Sequence, residues 1–428
     1  MVTRKKRRTA AVPEQPSGTL AIQMPPEKAE PASIGNVLMM VVPMLGSTGV
    51  MVFMAMQNPD NTRSMLMGGG MLVAMLGMVG FNMYRQFSQY RTRVKTQRRE
   101  YLSYLTETRE SVRKVAKKQR AYYNWVYPSP DALVTLAANG SRLWSREGNT
   151  YDLLTFRYGS GTQPLGLIFE RPPIDPMTEM DVVCLSAMDR FIGVHDHTDN
   201  VGKFLYLGDF SHIEVVGDGE SAYDEIRAIM MHLACFIDPS KLKIAVLCSA
   251  DRLGDWEWVK WMPQARSSIV RDAVGPGRMI STDPRELAEM IGPDVAMRGA
   301  YRPGDDMPEW PHLLLVLDGA EFPPNSPFGS AVGVRGVTIM SRAREWTPMK
   351  SHTALRLVIH PNPDHKGADV VDVVTMDSLP EQAFADRLTA VQAEAVARRM
   401  TPFATQQNLE EAETPVGRSD EARQMDLM

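Results

Sequence analysis

The stretch that decides the fold class is Leu313-Leu314-Leu315-Val316-Leu317-Asp318, five apolar residues followed by a carboxylate. Residues 242–248 are nearly as apolar. A strand that is apolar on both faces is buried on both faces, which is typical of a parallel sheet covered by helices. Helical patterns alternate with these strands along the chain, so the sequence predicts an α/β domain.

Outward from this stretch, apolar periodicity predicts the other elements of the domain. The predicted strands are 153–158, 165–169, 204–207, 213–216, 242–248, 313–317, 337–340, 355–359 and 370–375. The predicted helices are 222–237, 253–261, 284–297 with a break at Pro293, and 380–400 capped by Ser378. We therefore predict a single cytoplasmic domain over 128–405, followed by an acidic linker or tail over 406–428.

Two segments have features of a nucleotide-binding site. In the first, the predicted strand 213–216 runs through Gly217 and Gly219 to Ser221 at a helix start, an arrangement that can cradle phosphate. In the second, Asp318 ends an apolar strand, where a Walker B carboxylate would hold Mg²⁺. These four residues form the predicted site.

The first segment departs from a phosphate-binding loop in its charges. Such a loop ends in Gly-Lys-Ser/Thr, because the lysine neutralises the β- and γ-phosphates. Here Asp218 and Glu220 place negative charge in the turn, and no lysine follows. The sequence therefore predicts a RecA/Rossmann-like sheet without catalysis of its own, with ATP and Mg²⁺ as weak possible ligands. Direct nucleotide titration separates this prediction from weak binding.

Two long segments carry no charged side chain, 31–59 and 64–84. Their apolar parts, 34–56 and 65–84, are each long enough for a helix to cross a bilayer. The basic residues of 1–33 and those after 84 predict that both chain ends face the cytoplasm of a two-pass protein in the inner membrane. The alternative is a pair of helices buried in a soluble core.

Residues 85–127 predict a helical stalk, since 85–124 contain no Gly or Pro and Pro128 follows soon after. A seam of heptad spacing runs along it: Tyr101, Leu105, Thr108, Val112, Val115 and Tyr122. We interpret the seam as a contact with a partner helix or with another copy of the chain. The alternative is an amphipathic helix that lies on its own domain.

The net charge of −4 conceals an asymmetry. Residues 85–120 hold twelve basic and three acidic side chains, whereas 121–428 hold 28 basic and 44 acidic ones. We expect the basic residues at the start of the stalk to face anionic lipid headgroups: Arg85, Arg91, Arg93, Lys95, Arg98 and Arg99. The position of these charges beside the apolar segments, with no recognised nucleic-acid motif, argues against nucleic acid as a partner.

Cysteine and histidine give little support to a metal site. The cysteines are Cys184, Cys235 and Cys248, without a CxxC pair, which fits a reducing compartment. His195-Asp196-His197-Thr198-Asp199 has metal-ligand residue types, but no second cluster accompanies it. We predict no metal centre.

The most unusual motif is Asp255-Trp256-Glu257-Trp258-Val259-Lys260-Trp261-Met262-Pro263. With the two apolar segments, the basic stalk and the Gly217 and Asp318 positions, it resembles the EccC component of type VII (ESX) secretion systems, an FtsK/SpoIIIE-type membrane ATPase. Trp256, Trp258, Lys260 and Trp261 carry the resemblance most specifically. The tryptophans are either a partner-binding anchor or core residues, and their exposure distinguishes the two.

The resemblance implies a membrane anchor, a stalk and a degenerate ATPase-like domain that couple a hexameric motor to other subunits. EccB-, EccD- and EccE-type membrane subunits are the implied partners, and helical WxG100-type proteins are the implied exported substrates. Those substrates would bind elsewhere in the motor, because the sequence stops near where further ATPase domains are expected. Two alternatives are an active FtsK-like NTPase or DNA translocase, and a non-enzymatic membrane scaffold outside secretion.

Overall fold

The structure, a computed structural model, describes residues 12–29, 62–146, 153–273, 275–304, 311–343, 349, 351–364 and 367–403, with scattered positions between 35 and 57. The chain divides into two compact units. The first comprises 1–15, 119–163 and 198–428. The second comprises 16–118 and 164–197. The predicted tail, 406–428, and residues 1–11 lie outside the described residues.

The elements of the described residues are numbered along the chain. The strands are β1 (Gly18–Ala21), β2 (Thr155–Pro164), β3 (Leu167–Glu170), β4 (His197–Tyr206), β5 (His212–Gly217), β6 (Leu242–Cys248), β7 (Arg266–Asp272), β8 (Gly275–Arg278), β9 (Ile280–Ser281), β10 (His312–Asp318), β11 (Val337–Ala343), β12 (Ala354–Pro361), β13 (Asp369–Val374) and β14 (Glu381–Ala385). The helices are α1 (Thr62–Val126), α2 (Pro130–Asn139), α3 (Val182–His195), α4 (Glu220–Phe236), α5 (Leu253–Trp256), α6 (Pro284–Ile291), α7 (Pro293–Ala296) and α8 (Ala390–Met400).

One large sheet dominates the first unit. Among the described residues its strand order is β4-β2-β14-β13-β12-β5-β11-β10-β6-β9. The part from β12 to β9 is parallel, and β13 and β14 extend it in antiparallel fashion towards β2. The parallel order places β11 between β5 and β10. The predicted α/β class is confirmed.

The apolar runs that predict this sheet bury both of its faces. In β10, Leu314 and Val316 join the core that contains α4, whereas Leu313 and Leu315 join a second core with α6. Successive side chains of a strand point to opposite faces, so five apolar residues in a row serve two layers at once. This explains why 313–317 show no alternation of polar and apolar residues.

The predicted helix over 380–400 is wrong in its first half. Residues Glu381–Ala385 form β14, which pairs with β13 and β2. The helix α8 begins at Ala390, where Thr389 and Gln392 form a capping box. The alternation of buried Ala383 with exposed neighbours is a strand period that a helical interpretation overlooks.

The predicted seam on the stalk is occupied within the second unit. Tyr101, Leu105 and Val112 are at most 6% exposed and pack in one cluster with Phe191 and other residues of α3. The interpretation as an intermolecular seam is therefore wrong for these residues, and the alternative of a helix on its own domain is what the structure shows. The sequence analysis missed α3 altogether, although Asp181 caps it by accepting from two backbone N–H groups.

The predicted membrane segments find no support in the structure. The first, 34–56, lies largely outside the described residues, and the second, 65–84, is helical as part of α1. Across the part of the chain that the structure describes, no helix combines the length and the apolar character that a bilayer crossing requires.

Candidate functional site

The predicted phosphate-cradle glycines lie where β5 turns into α4. Gly219 is the residue before the helix, with φ 55° and ψ −134°, a conformation open essentially to glycine alone. A Cβ on Gly217 would lie 3.1 Å from the Cβ of Ile359 on β12. Gly219 is therefore favoured by its backbone angles, and Gly217 by its close packing against β12.

Asp318 ends β10 at the carboxyl edge, by which we mean the carboxyl ends of the parallel strands. It is 2% exposed. The hydroxyl of Tyr223 donates to its two carboxylate oxygens at 3.1 Å each, and the indole Nε1 of Trp256 donates to Oδ2 at 2.9 Å. Burial, followed by the charge of Asp318, raises the pKa of Tyr223, so this hydroxyl keeps its proton and donates. The carboxylate that would face Mg²⁺ in an active site is thus bound by two protein side chains.

Ser221 is engaged with a different strand from Asp318. It hydrogen-bonds the side chain of Asp369 on β13, which also binds Arg387. Burial acts to raise the pKa of Asp369, but the hydrogen bonds from Arg387 and Ser221 outweigh it and keep that pKa below its usual value. The structure therefore splits the four predicted residues between two neighbourhoods.

Arginines that the sequence analysis missed surround Tyr223. The guanidinium carbon of Arg342 lies 4.5 Å from the ring centroid, that of Arg252 at 5.3 Å and that of Arg227 at 5.6 Å. Arg227 also pairs with Glu220 at 3.1 Å, so the negative charge of the turn has a counter-ion. The position of Arg342 near the end of a parallel strand is the one sequence signal that could have placed it here.

The tryptophan motif is built mostly into the core. Trp256 and Trp258 are 1% and 5% exposed, so the hypothesis of an exposed partner anchor is wrong for these two. Trp261 is half-buried under the guanidinium of Arg398, and Lys260 is exposed and pairs with Glu257. The hydrogen bond from the indole of Trp256 to Asp318, which is 62 positions further along the chain, makes this motif part of the Asp318 site.

A second polar cluster, which we call the arginine clamp, holds the end of α1. Its members are Arg142, Arg146 and Arg157, which donate to the backbone carbonyls of Trp125, Val126 and Tyr127 respectively. Carbonyls at a helix C-terminus have no partner within the helix and carry partial negative charge, so cations there are stabilising. Arg142 also stacks on the ring of Trp125 at 3.9 Å. The clamp fixes the end of the stalk helix to the sheet domain.

Carboxylates beside the clamp balance part of its charge. Arg157 and Asp386 form a buried pair with N–O distances of 2.7 and 2.9 Å. Glu225 is fully buried near this pair, and burial followed by the charge of Asp386 raises its pKa well above the usual value. Burial also raises the pKa of Asp386, against the effect of Arg157.

The basic residues predicted to face lipid lie on α1. Arg85, Arg91, Arg93, Lys95 and Arg99 are exposed. Arg98 instead forms an ion pair at 2.9 Å with Asp181, the capping residue of α3. This residue therefore has a structural partner within the second unit.

The histidine-rich segment does not assemble a metal centre in the described residues. His195 ends α3 and makes an edge-to-face contact with Phe191, and the Nδ1 of His197 bonds Asp196 at 2.5 Å. No group of three or more metal-ligating side chains occurs in the described part of the chain.

No protein-family model matches the chain. The ESX secretion system protein EccC of Thermomonospora curvata is 31% identical over 413 residues, which are 95% of this chain and 30% of that protein. EccC3 of the ESX-3 system and EccCa1 of the ESX-1 system, both of Mycobacterium tuberculosis, are each 29% identical, over 78% and 72% of this chain.

The chain spans only part of these relatives, 30% of the Thermomonospora protein, 25% of EccC3 and 40% of EccCa1. The cytoplasmic domain of Thermomonospora curvata EccC aligns over 60% of this chain with 14% identity and a TM-score of 0.31. ATPases 2 and 3 of EssC from Geobacillus thermodenitrificans give 12% identity and a TM-score of 0.31 over 63% of this chain. These TM-scores are too low to support the fold, so the α/β assignment rests on the observed strand order. The resemblance to EccC is confirmed by the sequence identity over most of the chain.

Proposed function

We propose that this chain, which is similar to the EccC proteins of ESX secretion systems over most of its length, is a coupling portion of a type VII secretion ATPase. In this role the sheet domain transmits movement and does not itself hydrolyse nucleotide. The proposal concerns a segment that spans less than half of its relatives, so the motor activity of those proteins is assigned to other parts of them.

The observation that carries the proposal is the state of Asp318. A Walker B carboxylate must be free to hold the Mg²⁺ that bridges the phosphates. Here the carboxylate accepts hydrogen bonds from Tyr223 and Trp256 within the domain, and the turn before α4 carries no lysine. A nucleotide-type fold whose metal-binding carboxylate is used internally is suited to a mechanical task.

The arginine clamp supports the coupling role. A joint that transmits movement requires a fixed connection between the stalk helix and the domain. The three guanidinium groups bind the carbonyls of Trp125 and Val126, the last residues of α1, and of Tyr127, which follows it. Two of the three side chains, Arg142 and Arg157, are at least nine-tenths buried. Hydrogen bonds from charged donors are about twice as strong as neutral ones.

The finer parts of the proposal come from the resemblance. We propose that residues 34–56 and 65–84 anchor the chain in the inner membrane with both termini in the cytoplasm. We further propose assembly into a hexameric machine with EccB-, EccD- and EccE-type subunits for export of WxG100-type proteins. The absence of charge in the two segments and their basic flanks support the membrane anchor. The assembly and the exported proteins rest on the resemblance to EccC.

Nucleotide titration tests the central claim. The full chain is titrated with Mg-ATP and assayed for phosphate release, alongside Asp318→Asn and the double variant Tyr223→Phe/Trp256→Phe. We expect no hydrolysis by any of them. Hydrolysis by the unmodified chain that Asp318→Asn abolishes would show an active NTPase and contradict the proposal.

Purification from cells that express a complete ESX system tests the assignment to secretion. We expect the tagged chain to copurify with multi-span ESX subunits from the membrane fraction. A chain that is recovered alone would remove the secretion role and leave the scaffold alternative. Alkaline extraction of the same membranes tests anchoring, because a two-pass protein stays in the pellet.

A further inference from the structure

A groove of about 460 Å³ lies between α1 and α3, wholly within the second unit. Its floor is apolar, since Leu105 and Phe191 line it and are 4% and 3% exposed. Its sides also present apolar surface, with Leu102 at 41% and Val194 at 55% exposed. Exposed apolar surface beside a buried floor is typical of a site that another element covers.

The spacing of the lining residues indicates the shape of that element. On α1 the groove is lined by Leu102, Thr106, Arg109 and Arg113, which recur after four, three and four residues. On α3 the lining residues Ala187, Arg190 and Val194 recur after three and four. Such stripes are the surfaces against which a third helix packs, as when an amphipathic helix lies in a groove.

The charge around the groove indicates the chemistry of the occupant. Arg109, Arg113 and Arg190 are exposed, and none of them has an ion-pair or hydrogen-bond partner among the described residues. Burial, followed by the charges of Arg109 and Arg113, lowers the pKa of His195 at the same groove. By contrast, Arg171 nearby on the chain is paired with Asp189 at 3.0 Å. The groove therefore combines an apolar floor with uncompensated positive charge.

We propose that this groove binds an amphipathic helix of a protein partner, with an apolar stripe of i, i+3, i+4, i+7 spacing flanked by acidic residues. The lining of α1 covers residues 102–113, about 18 Å at the rise of an α-helix, which corresponds to roughly three turns of the partner. The proposal is independent of the coupling role, because none of its residues belongs to the sheet domain.

A pair of designed peptides tests the charge requirement. Two 16-residue helical peptides share one leucine stripe, and one carries glutamate at the flanking positions where the other carries lysine. Their binding to the full chain is measured by fluorescence anisotropy at two salt concentrations. We expect binding of the acidic peptide that weakens with salt and at least tenfold weaker binding of the basic peptide.

Variants of the chain locate the site. Arg109→Glu/Arg113→Glu should weaken binding of the acidic peptide at least tenfold, and Ala187→Trp should do so by filling the groove. The matched control is Lys114→Glu/Lys118→Glu, which reverses two exposed charges of the same helix outside the groove lining. Arg109→Gln/Arg113→Gln repeats the test without added acidic charge, and thermal unfolding verifies that each variant is folded.

The outcome decides between the helix and other occupants. Equal binding of both peptides, or equal effects of the groove and control variants, would overturn the proposal. In the native complex, a photo-crosslinking residue at position 106 should capture an acidic helical segment of another polypeptide. Crosslinks confined to lipid or to a second copy of this chain would contradict it as well.

Discussion

The carboxyl edge of the sheet and the groove between α1 and α3 both collect charged side chains, yet they differ in how these charges are satisfied. At the edge, Asp318 accepts from Tyr223 and Trp256, and Glu220 pairs with Arg227. In the groove, three arginines have no partner among the described residues. The carboxylates at the sheet edge are paired within the fold, whereas the arginines of the groove can still pair with a ligand.

The sheet domain resembles a nucleotide-binding fold in its strands, but the hydrogen bonds of Asp318 differ from those that a metal ligand needs. The sheet domain has the parallel strands and the glycine turn that the sequence predicts, and Asp318 is the carboxylate that was predicted to hold Mg²⁺. To bind Mg²⁺ that carboxylate must give up hydrogen bonds that it already makes. The groove lies outside the nucleotide-binding architecture, but a ligand there displaces no existing bond to its arginines.

The largest effect is expected where a partnered charge is most buried. Arg157→Met leaves the buried Asp386 and the carbonyl of Tyr127 without their donor, so we expect a loss of about 3–5 kcal/mol in the free energy of unfolding. Chemical denaturation of the full chain measures it. Arg387→Ala, which breaks a pair whose arginine is 47% exposed, should lose less than about 1 kcal/mol. Equal losses would mean that burial does not determine how much these ion pairs contribute to the free energy of unfolding.

The next effect isolates the hydrogen bond between Trp256 and Asp318. Trp256→Phe removes a buried donor to a charged acceptor and should lose about 1–3 kcal/mol more than its matched control. That control is Trp258→Phe, because Trp258 is similarly buried and its indole Nε1 has no hydrogen-bond partner among the residues that the structure describes. If both substitutions cost the same, Asp318 is not held by this bond and the contrast with the groove fails.

A third effect concerns acid stability. Burial, followed by the charge of Arg298, lowers the pKa of His312 to about 3. In the unfolded chain His312 binds a proton near pH 6.5, whereas in the folded chain it does so only near pH 3. The free energy of unfolding therefore falls as pH decreases from about 6.5 towards 3, by at most ~1.4 kcal/mol per pH unit. His312→Asn should reduce this slope in denaturation curves measured across that range.

Other buried groups shape the same curve. Burial also lowers the pKa of His232, so its contribution has the same sign as that of His312. Glu225 and Asp386, whose pKa values are raised, contribute stability that is present below their unfolded values near 4 and is lost as pH rises. The comparison of wild type with His312→Asn removes these shared terms. An unchanged slope would show that His312 is not the buried base described here.

The smallest effect is expected in the groove. Arg109→Ala/Arg190→Ala removes two exposed cations without partners, so the free energy of unfolding should change by less than about 0.5 kcal/mol. A loss above about 1 kcal/mol would reveal a structural role for these arginines. The same denaturation assay measures this variant and Arg157→Met. The smallest and the largest expected effects can therefore be compared directly.

Much of the sheet follows from local patterns. The strands β6 and β10 were expected from their apolar runs, and the observed bounds Leu242–Cys248 and His312–Asp318 differ by at most one residue from the predicted ones. Helix α3 was missed because its exposed face carries Val182, Val183 and Val194, which blur the helical period. The error over 380–400 has a similar origin, since Glu381–Ala385 gains its strand pairing only from distant parts of the chain.

The sequence singled out Asp318 and the glycine turn but not the side chains that contact them. The sequence predicted a glycine turn after one strand and a carboxylate at the end of another, as two separate features of a nucleotide-binding site. The contact of Trp256 with Asp318 joins residues 62 positions apart, and Arg157 meets Asp386 across 229 positions. No local spacing encodes such pairs, so the sequence showed a carboxylate without showing what holds it.

The indole that binds Asp318 gives the domain a built-in optical probe. Emission from a buried tryptophan depends on the field around its ring, and here one neighbour of that ring is a carboxylate at hydrogen-bond distance. Any cation that draws the carboxylate away would alter the signal of this one fluorophore. Subtracting the spectrum of a chain with phenylalanine at position 256 therefore offers a label-free view of whether a cation ever binds at Asp318.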